Sequence, residues 1–214
     1  MSNFYEENHQ QYFNSTVSLD PSAFLKPLAR LLEPQATILD IGCGSGRDLR
    51  WFARRGFQPT GFEQSPNLAR LAREHAGCPV IEGDFRHYNF SNFQFSALVF
   101  VGSLVHLPKE SLLSILQSTC QALVPNGLIL ITMKEGNGTS RAADGRFFTL
   151  WSREEIEKIF AANNLHIVDF SRQVSKLRPD DIWLGYVLRL TPSENVSKYA
   201  SERSMPIMTN LQQQ

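Results

Sequence analysis

The chain has 214 residues, 42% of them apolar, and its 21 basic and 21 acidic side chains cancel to a net charge of zero. That length carries one domain with a sizeable core, and the neutral balance leaves no electrostatic footprint for nonspecific binding to nucleic acid or a membrane surface. Three scattered cysteines, Cys43, Cys78 and Cys120, provide neither a disulfide framework nor metal-ligand spacing, so a reducing cytoplasm and no bound metal are expected.

The first eight residues lack the basic and apolar regions of a signal peptide, and no apolar run approaches the length of a membrane span. Asn3 to Asp20 is polar with Phe4, Tyr5, Tyr12 and Phe13 near helical spacing. A short amphipathic helix is expected there, either covering the mouth of a cleft or packing its tyrosines into the body. A second helix is expected from Pro21 to Leu32, with Asp20 as N-cap and Phe24, Leu25, Leu28, Leu31 and Leu32 on its apolar face.

Ala36 to Ile41 predicts a buried strand that stops in glycines at alternate positions, Gly42, Gly44 and Gly46, after which a helical pattern runs from Arg47 through Ala53. Strand, glycine turn and helix together open a nucleotide-binding α/β unit. The spacing is G-x-G-x-G, because position 47 is arginine, and is not the pyrophosphate-binding G-x-G-x-x-G. Asp40 before the turn and Asp48 after it are poor company for a phosphate dianion. A ligand with a positive centre, a ribose and no phosphate fits better. The alternative is a glycine turn that only closes a strand–helix corner.

Pro59 to Glu63 predicts a second strand ending in an acid, and Glu63 lies about twenty residues beyond the turn, where such folds place a ribose-binding carboxylate. A surface acid at a strand end is the alternative. A helix is expected from Ser65-Pro66 to Gly77, then a third strand from Cys78 to Glu82. At its end Asp84 can accept from an exocyclic amine and the Phe85 amide can donate to a ring nitrogen, unless Asp84 is only a turn residue. Phe90 and Phe93 are wall residues. Phe95 to Val101 is almost wholly apolar, as in a strand buried on both faces. The switch-point rule then directs Val101 to His106 toward the ligand.

Pro108 opens a helix with Leu112, Leu113, Ile115, Leu116 and Leu123 on its apolar face, and Pro125-Asn126-Gly127 turns the chain into a fifth strand, Leu128 to Met133. Lys134 to Gly145 is expected to be a long glycine-bearing loop. Ser152 to Glu155 forms a capping-box start for a helix over Glu154 to Ala162. Leu165 to Phe170 is the sixth strand, Ser171 to Asp181 a polar link, and Ile182 to Leu190 the seventh strand. Thr191 to Gln214 is a polar tail expected to be loosely held.

Four features together, Asp40 through Gly46, Glu63, Gly83-Asp84-Phe85 and Pro125-Asn126-Gly127, make the chain resemble the class I S-adenosylmethionine-dependent methyltransferases, especially the small single-domain members that act on small molecules. The resemblance covers about residues 3 to 190. It implies an α/β, Rossmann-like, doubly wound seven-stranded sheet in the order 3-2-1-4-5-7-6, with strand 7 antiparallel. It also implies one methyltransferase domain over 1–190, with an N-terminal helical cap over about 1–33 and the tail at 191–214. The implied cofactor is S-adenosyl-L-methionine. Asp40, Gly42 and Gly44 would line its methionine end, Glu63 and Gln64 its ribose, Asp84 and Phe85 its adenine, with Cys43 and Arg47 also binding the cofactor. Val101 would back the sulfonium and Tyr12 would close over the methionine. Glu63 stands where many relatives have Asp, and Val101-Gly102-Ser103-Leu104 replaces the Asn/Asp-Pro-Pro-aromatic motif of adenine and cytosine methyltransferases, which disfavours that substrate class.

Methyl transfer from a sulfonium needs alignment and exclusion of water, and a base only if the acceptor keeps its proton until attack. His106 is the candidate base, with a helix-capping or packing role as the alternative. Tyr5 is expected to face the methyl group or the acceptor. Lys134, Arg146 and Arg172 are candidates for an anionic acceptor, against the plainer expectation of solvated loop charges. Arg50 and Arg54, with Arg47, share a helix face expected to be solvated. The expected partner is a small-molecule acceptor, with no nucleic acid and no membrane, in a monomer or homodimer. The rivals are an RNA or protein methyltransferase and a non-catalytic S-adenosylmethionine-binding protein.

Overall fold

The computed structural model describes residues 4–191, so the polar tail lies outside the described residues apart from Thr191. Strands β1 (Thr37–Ile41), β2 (Gln58–Glu63), β3 (Val80–Glu82), β4 (Phe95–Val101) and β5 (Leu123–Glu135) pair in parallel in the order β3-β2-β1-β4-β5. Beyond β5 the antiparallel β9 (Ile182–Leu190) pairs from Leu128↔Arg189 to Lys134↔Trp183, and β8 (Leu165–Val174) pairs with β9. This is the expected 3-2-1-4-5-7-6 order with the seventh strand antiparallel.

Alternation along these strands divides the core. Ile38, Ala97, Val99, Leu130 and Val187 face one side, where they bury Leu25 and Leu28 of α3 (Ser22–Ala29) and Trp51 and Phe52 of α4 (Arg47–Ala53). Their neighbours Leu39, Leu98, Phe100, Ile129 and Tyr186 face the other side. There they pack on Leu112, Ile115 and Leu116 of α6 (Leu112–Thr119) and on Ile156 and Phe160 of α7 (Arg153–Ala162). Burial on both faces explains why β4 is apolar at nearly every position. Helix α5 (Pro66–Ala76) covers β2 and β3, capped by the Ser65 hydroxyl, which accepts from Leu68 N at 3.2 Å, and ended by Gly77 at φ +66°.

Several boundaries differ from the sequence expectation. The N-terminal segment forms two helices, α1 (Phe4–Glu7) and α2 (His9–Thr16). Helix α3 ends at Ala29, and Leu31, expected on its apolar face, is 42% exposed. The segment after Pro108 begins as a 3-10 turn over Lys109–Ser111, and Leu123 opens β5 rather than lying on α6. The main correction concerns residues 134–151. Lys134 lies inside β5, and the expected loop folds into a hairpin of β6 (Thr139–Arg141) and β7 (Phe147–Trp151). Gly145, at φ +86°, turns it, and Ala142 N donates to Arg146 O at 2.9 Å. Strand β7 also pairs in parallel with the last residues of β5, Lys134↔Leu150 and Glu135↔Trp151. The link after β8 accordingly begins at Ser175.

Gly46 caps α4 at φ +73°, and a Cβ there would lie 2.8 Å from the Ala72 Cα of α5. Gly46→Ala combines left-handed strain with overpacking between two helices. It is expected to cost about 2–4 kcal/mol in urea unfolding, whereas Gly56→Ala, strained at φ +83° but in open space, should cost only about 1–2 kcal/mol.

Candidate functional site

The parallel strands end together, and two neighbouring cavities open at their carboxyl ends. The first, of about 260 Å³, is bounded by Gly42 and Gly44 of the turn, Glu63 to Pro66 and Leu68 at the β2–α5 junction, Phe85, and Val101 to Ser103 at the end of β4. Backbone bonds hold its floor: Gly42 N and Cys43 N both donate to Phe62 O, at 2.8 and 3.2 Å. The Glu63 carboxylate accepts from Gly44 N at 2.9 Å and from Ser65 N at 3.0 Å, so one side chain joins the glycine turn to the start of α5. Burial raises the Glu63 pKa, and those amide bonds oppose the rise.

Glycine is required where other groups crowd the turn. A Cβ on Gly42 would stand 2.5 Å from the Ser103 Cβ, and one on Gly44 3.0 Å from the Tyr12 ring. Beneath the turn Asp40 is 2% exposed, and its Oδ2 has no hydrogen-bond partner; the Ser103 Oγ across from Gly42 has none either. Burial, then the nearby Asp48, pushes the Asp40 carboxyl well above the usual carboxylate range, although Arg47 opposes it. Ser103 lines the first cavity, and Asp40 lies behind that lining. The donor set and the glycine cradle therefore fit the aminoacyl and ribose parts of a sulfonium nucleoside.

The two N-terminal helices roof the site. The Glu6 carboxylate accepts from the Ser65 hydroxyl and from Asn67 N and Nδ2, which pins α1 to the first turn of α5. Tyr5 and Tyr12 meet edge to face at 5.1 Å between centroids and line both cavities. The second cavity, of about 200 Å³, is walled by Phe24, Phe148 and Trp183 and carries Arg47, Lys134 and Arg146.

His106 stands at the junction, shared by both cavities together with Tyr5, Tyr12, Val101 and Gly102. Its Nδ1 lies 2.7 Å from Phe147 O, a carbonyl that can only accept, so Nδ1 carries the hydrogen. Nε2 is then a lone pair, and the Tyr5 hydroxyl donates to it at 2.6 Å. Burial pushes the His106 pKa down to about 4 against the Phe147 bond that raises it, so the ring is neutral near pH 7. Arg146 Nη1 reaches the Tyr5 oxygen at 3.4 Å.

Of the residues singled out in the sequence, Tyr5, Tyr12, Gly42, Gly44, Glu63, Gln64, Phe85, Val101 and His106 come together around the first cavity. Asp40 and Cys43 lie behind its lining, and Arg47 borders the second cavity, paired with Asp48 at 2.6 Å. Asp84 does not line the first cavity: its carboxylate is taken by Arg86. Lys134 is a buried strand residue and not a loop charge, with Nζ 2.6 Å from Asp181 Oδ2 and 4.0 Å from the Phe148 ring centroid. Arg172 pairs with Glu135 on the surface and lines neither cavity. Sequence reasoning missed Ser65, Glu6, Phe148 and the segment Gln173–Trp183; the last two arrive through the unforeseen hairpin and the extension of β8, with no motif to mark them.

A sequence model of the methyltransferase domain matches residues 38–127. Among curated proteins, a ubiquinone biosynthesis O-methyltransferase of Xanthomonas campestris is 28% identical over 121 residues, covering 54% of this chain and 50% of that protein. Methyltransferase GfsG of Streptomyces halstedii is 25% identical over 175 residues, covering 73% and 62%. The chain thus spans about half the length of the first of these relatives. Among solved structures, a Burkholderia thailandensis 1,6-didemethyltoxoflavin-N1-methyltransferase with bound 1,6-didemethyltoxoflavin and S-adenosylhomocysteine superposes with a TM-score of 0.66 at 20% identity, covering 86% of this chain and 85% of that one. A TehB-like S-adenosylmethionine-dependent methyltransferase from Corynebacterium glutamicum gives a TM-score of 0.65 at 20% identity, covering 90% and 100%. These structures share the fold. Among the described residues no helix is long and apolar enough to cross a membrane.

The buried Asp40 sets a pH test. Its folded pKa is raised, so its contribution to stability is full below the unfolded value of about 4 and is lost as pH rises through the folded value. Without ligand, Asp40→Asn is therefore expected to gain in Tm over the parent as pH rises from about 4 to 8, with the gain vanishing below about pH 4. Thermal melts across that range check it.

Proposed function

We propose that this chain, a class I methyltransferase by its fold and by the domain at residues 38–127, transfers a methyl group from S-adenosylmethionine to a small-molecule acceptor. One observation carries this reading: the two cavities share a wall at Tyr5, Tyr12, Val101, Gly102 and His106. A donor in the first cavity and an acceptor in the second would meet there, with the cap over both.

When bound, S-adenosylmethionine supplies an activated methyl group on a sulfonium, ready for in-line displacement. The protein's residues then hold, align and deprotonate. On this reading Glu63 and Gln64 take the ribose hydroxyls, Gly42 and Gly44 the methionine end with Asp40 behind them, and Phe85 the adenine edge. Asp84 is committed to Arg86, which leaves the adenine to Phe85 on this reading. Tyr5 and Tyr12 set aromatic groups beside the cationic centre and close out water; such contacts contribute roughly 0.5–2 kcal/mol each. His106 offers a neutral, oriented Nε2 to an acceptor proton once the Tyr5 hydroxyl that engages it gives way. The imidazolium that burial opposes would form as the sulfonium charge disappears, so the buried site keeps the same net charge. The O-methyltransferase name of one relative and the N-methyltransferase name of one structural neighbour are both compatible with such a base. The fold residues 4–33 contribute serves as the cap of a single domain.

Calorimetry with S-adenosylmethionine is expected to show micromolar binding. Glu63→Gln should weaken it about tenfold or more through lost acceptance from the ribose diol, and NADH should not bind. His106→Gln is expected to lower kcat by about 10²- to 10⁴-fold with cofactor affinity nearly retained. Because burial holds His106 at about 4, the rate should be flat from about pH 5.5 to 8 and show no inflection near 6.5.

A further inference from the structure

The second cavity is asymmetric in a way that specifies more than a small molecule. At its inner end lies the lone pair of His106 Nε2, engaged by the hydroxyl of Tyr5. That contact is made by a phenol, whose ring meets the imidazole edge to face at 5.6 Å between centroids. Its oxygen is also within 3.4 Å of the Arg146 guanidinium. The chain thus supplies from its own cap the group this corner is built to receive: an aromatic hydroxyl with a base on the proton side and a cation beside the oxygen.

The walls leading outward are the rings of Phe148 and Trp183, and at the rim Val174, 62% exposed, and Leu177, 55% exposed, stand among the polar Gln173, Ser175, Lys176 and Arg178. At the same mouth Arg146 and Arg178 share a single carboxylate, Asp144, at 2.7 and 3.4 Å. Two guanidiniums on one acid retain donors for a second anion, and the planar fork of arginine suits a carboxylate.

Resting on the methyltransferase reading, we infer that the second cavity accepts a small aromatic hydroxy acid, its hydroxyl on His106 Nε2 at the place the Tyr5 phenol marks and its carboxylate at the Arg146–Arg178 mouth. The acceptor oxygen forms the new O–C bond to the methyl carbon with its own lone pair. The C–S bond breaks with its electron pair left on sulfur, and the phenolic proton goes to Nε2. The product is an aryl methyl ether with the carboxylate unaltered.

The probes are 2-, 3- and 4-hydroxybenzoate, with phenol and the aminobenzoates as controls. Calorimetry is run first with S-adenosylhomocysteine alone, then with each probe on the saturated protein. At least one hydroxybenzoate should bind tenfold or more tighter than phenol, and Arg178→Ala should erase most of that preference. Tyr5→Phe, which keeps the ring and removes the competing hydroxyl, should tighten the hydroxybenzoate several-fold. With S-adenosylmethionine the product mass and fragmentation should identify the methyl ether. A methyl ester, equal use of aminobenzoates, binding of no hydroxybenzoate, or Tyr5→Phe abolishing binding would each overturn the inference while the cofactor reading stands. Failure of S-adenosylhomocysteine itself to bind would remove both.

Discussion

The carboxylate of Glu63 accepting from the amides of Gly44 and Ser65 is the contact on which the site depends. It spans the ends of two parallel strands and joins three elements: the glycine turn after β1, the end of β2 and the N-cap of α5. Each amide is otherwise an unpaired donor at the start of a helix or inside a tight turn, and burial makes such a donor costly to leave unsatisfied. Burial raises the pKa of that carboxyl, and the two donors oppose the rise. The floor of the first cavity is thus a reciprocal arrangement in which neither the turn nor the acid is stable in place alone.

Asp40 shows the opposite condition. It is nearly as buried as the strand around it, and one of its oxygens has no partner. A buried carboxylate so placed weakens the fold unless a cation arrives. The local rule that buried polar groups are paired fails at this turn, and such failures gather where a protein binds something. The cap follows the same logic at larger scale. Helices of four and eight residues cannot hold themselves together in isolation. They are held by Glu6 on the first turn of α5 and by Tyr12 against Gly44.

His106 illustrates how position converts an ordinary residue into a directed one. The ring takes its tautomer from the backbone of Phe147, and Phe147 is where it is because a hairpin pairs beside the end of β5. The orientation of the ring therefore depends on a segment 41 residues further along the chain. The same hairpin brings Arg146 and Phe148 to the second cavity, so one hairpin supplies both the tautomer and part of that cavity's wall.

The amino-acid sequence by itself determined the strand–turn–helix opening, the strand order through the resemblance, and most of the first cavity. Those features are local: alternation and glycine spacing act within a few residues, and strand ends in a parallel sheet must meet at one edge. Helix α7 and strand β4 were legible to within a residue for the same reason, one from its capping box and the other from its unbroken apolar run. Only the tertiary structure decided the second cavity. Lys134 reads as a loop charge until β9 pairs along β5 and buries it against Asp181. Nothing in the spacing of Tyr5, His106 and Phe147 says that they touch. Their contact rests on cross-strand pairing and helix docking between distant segments, and such long-range packing leaves no periodic trace in the chain.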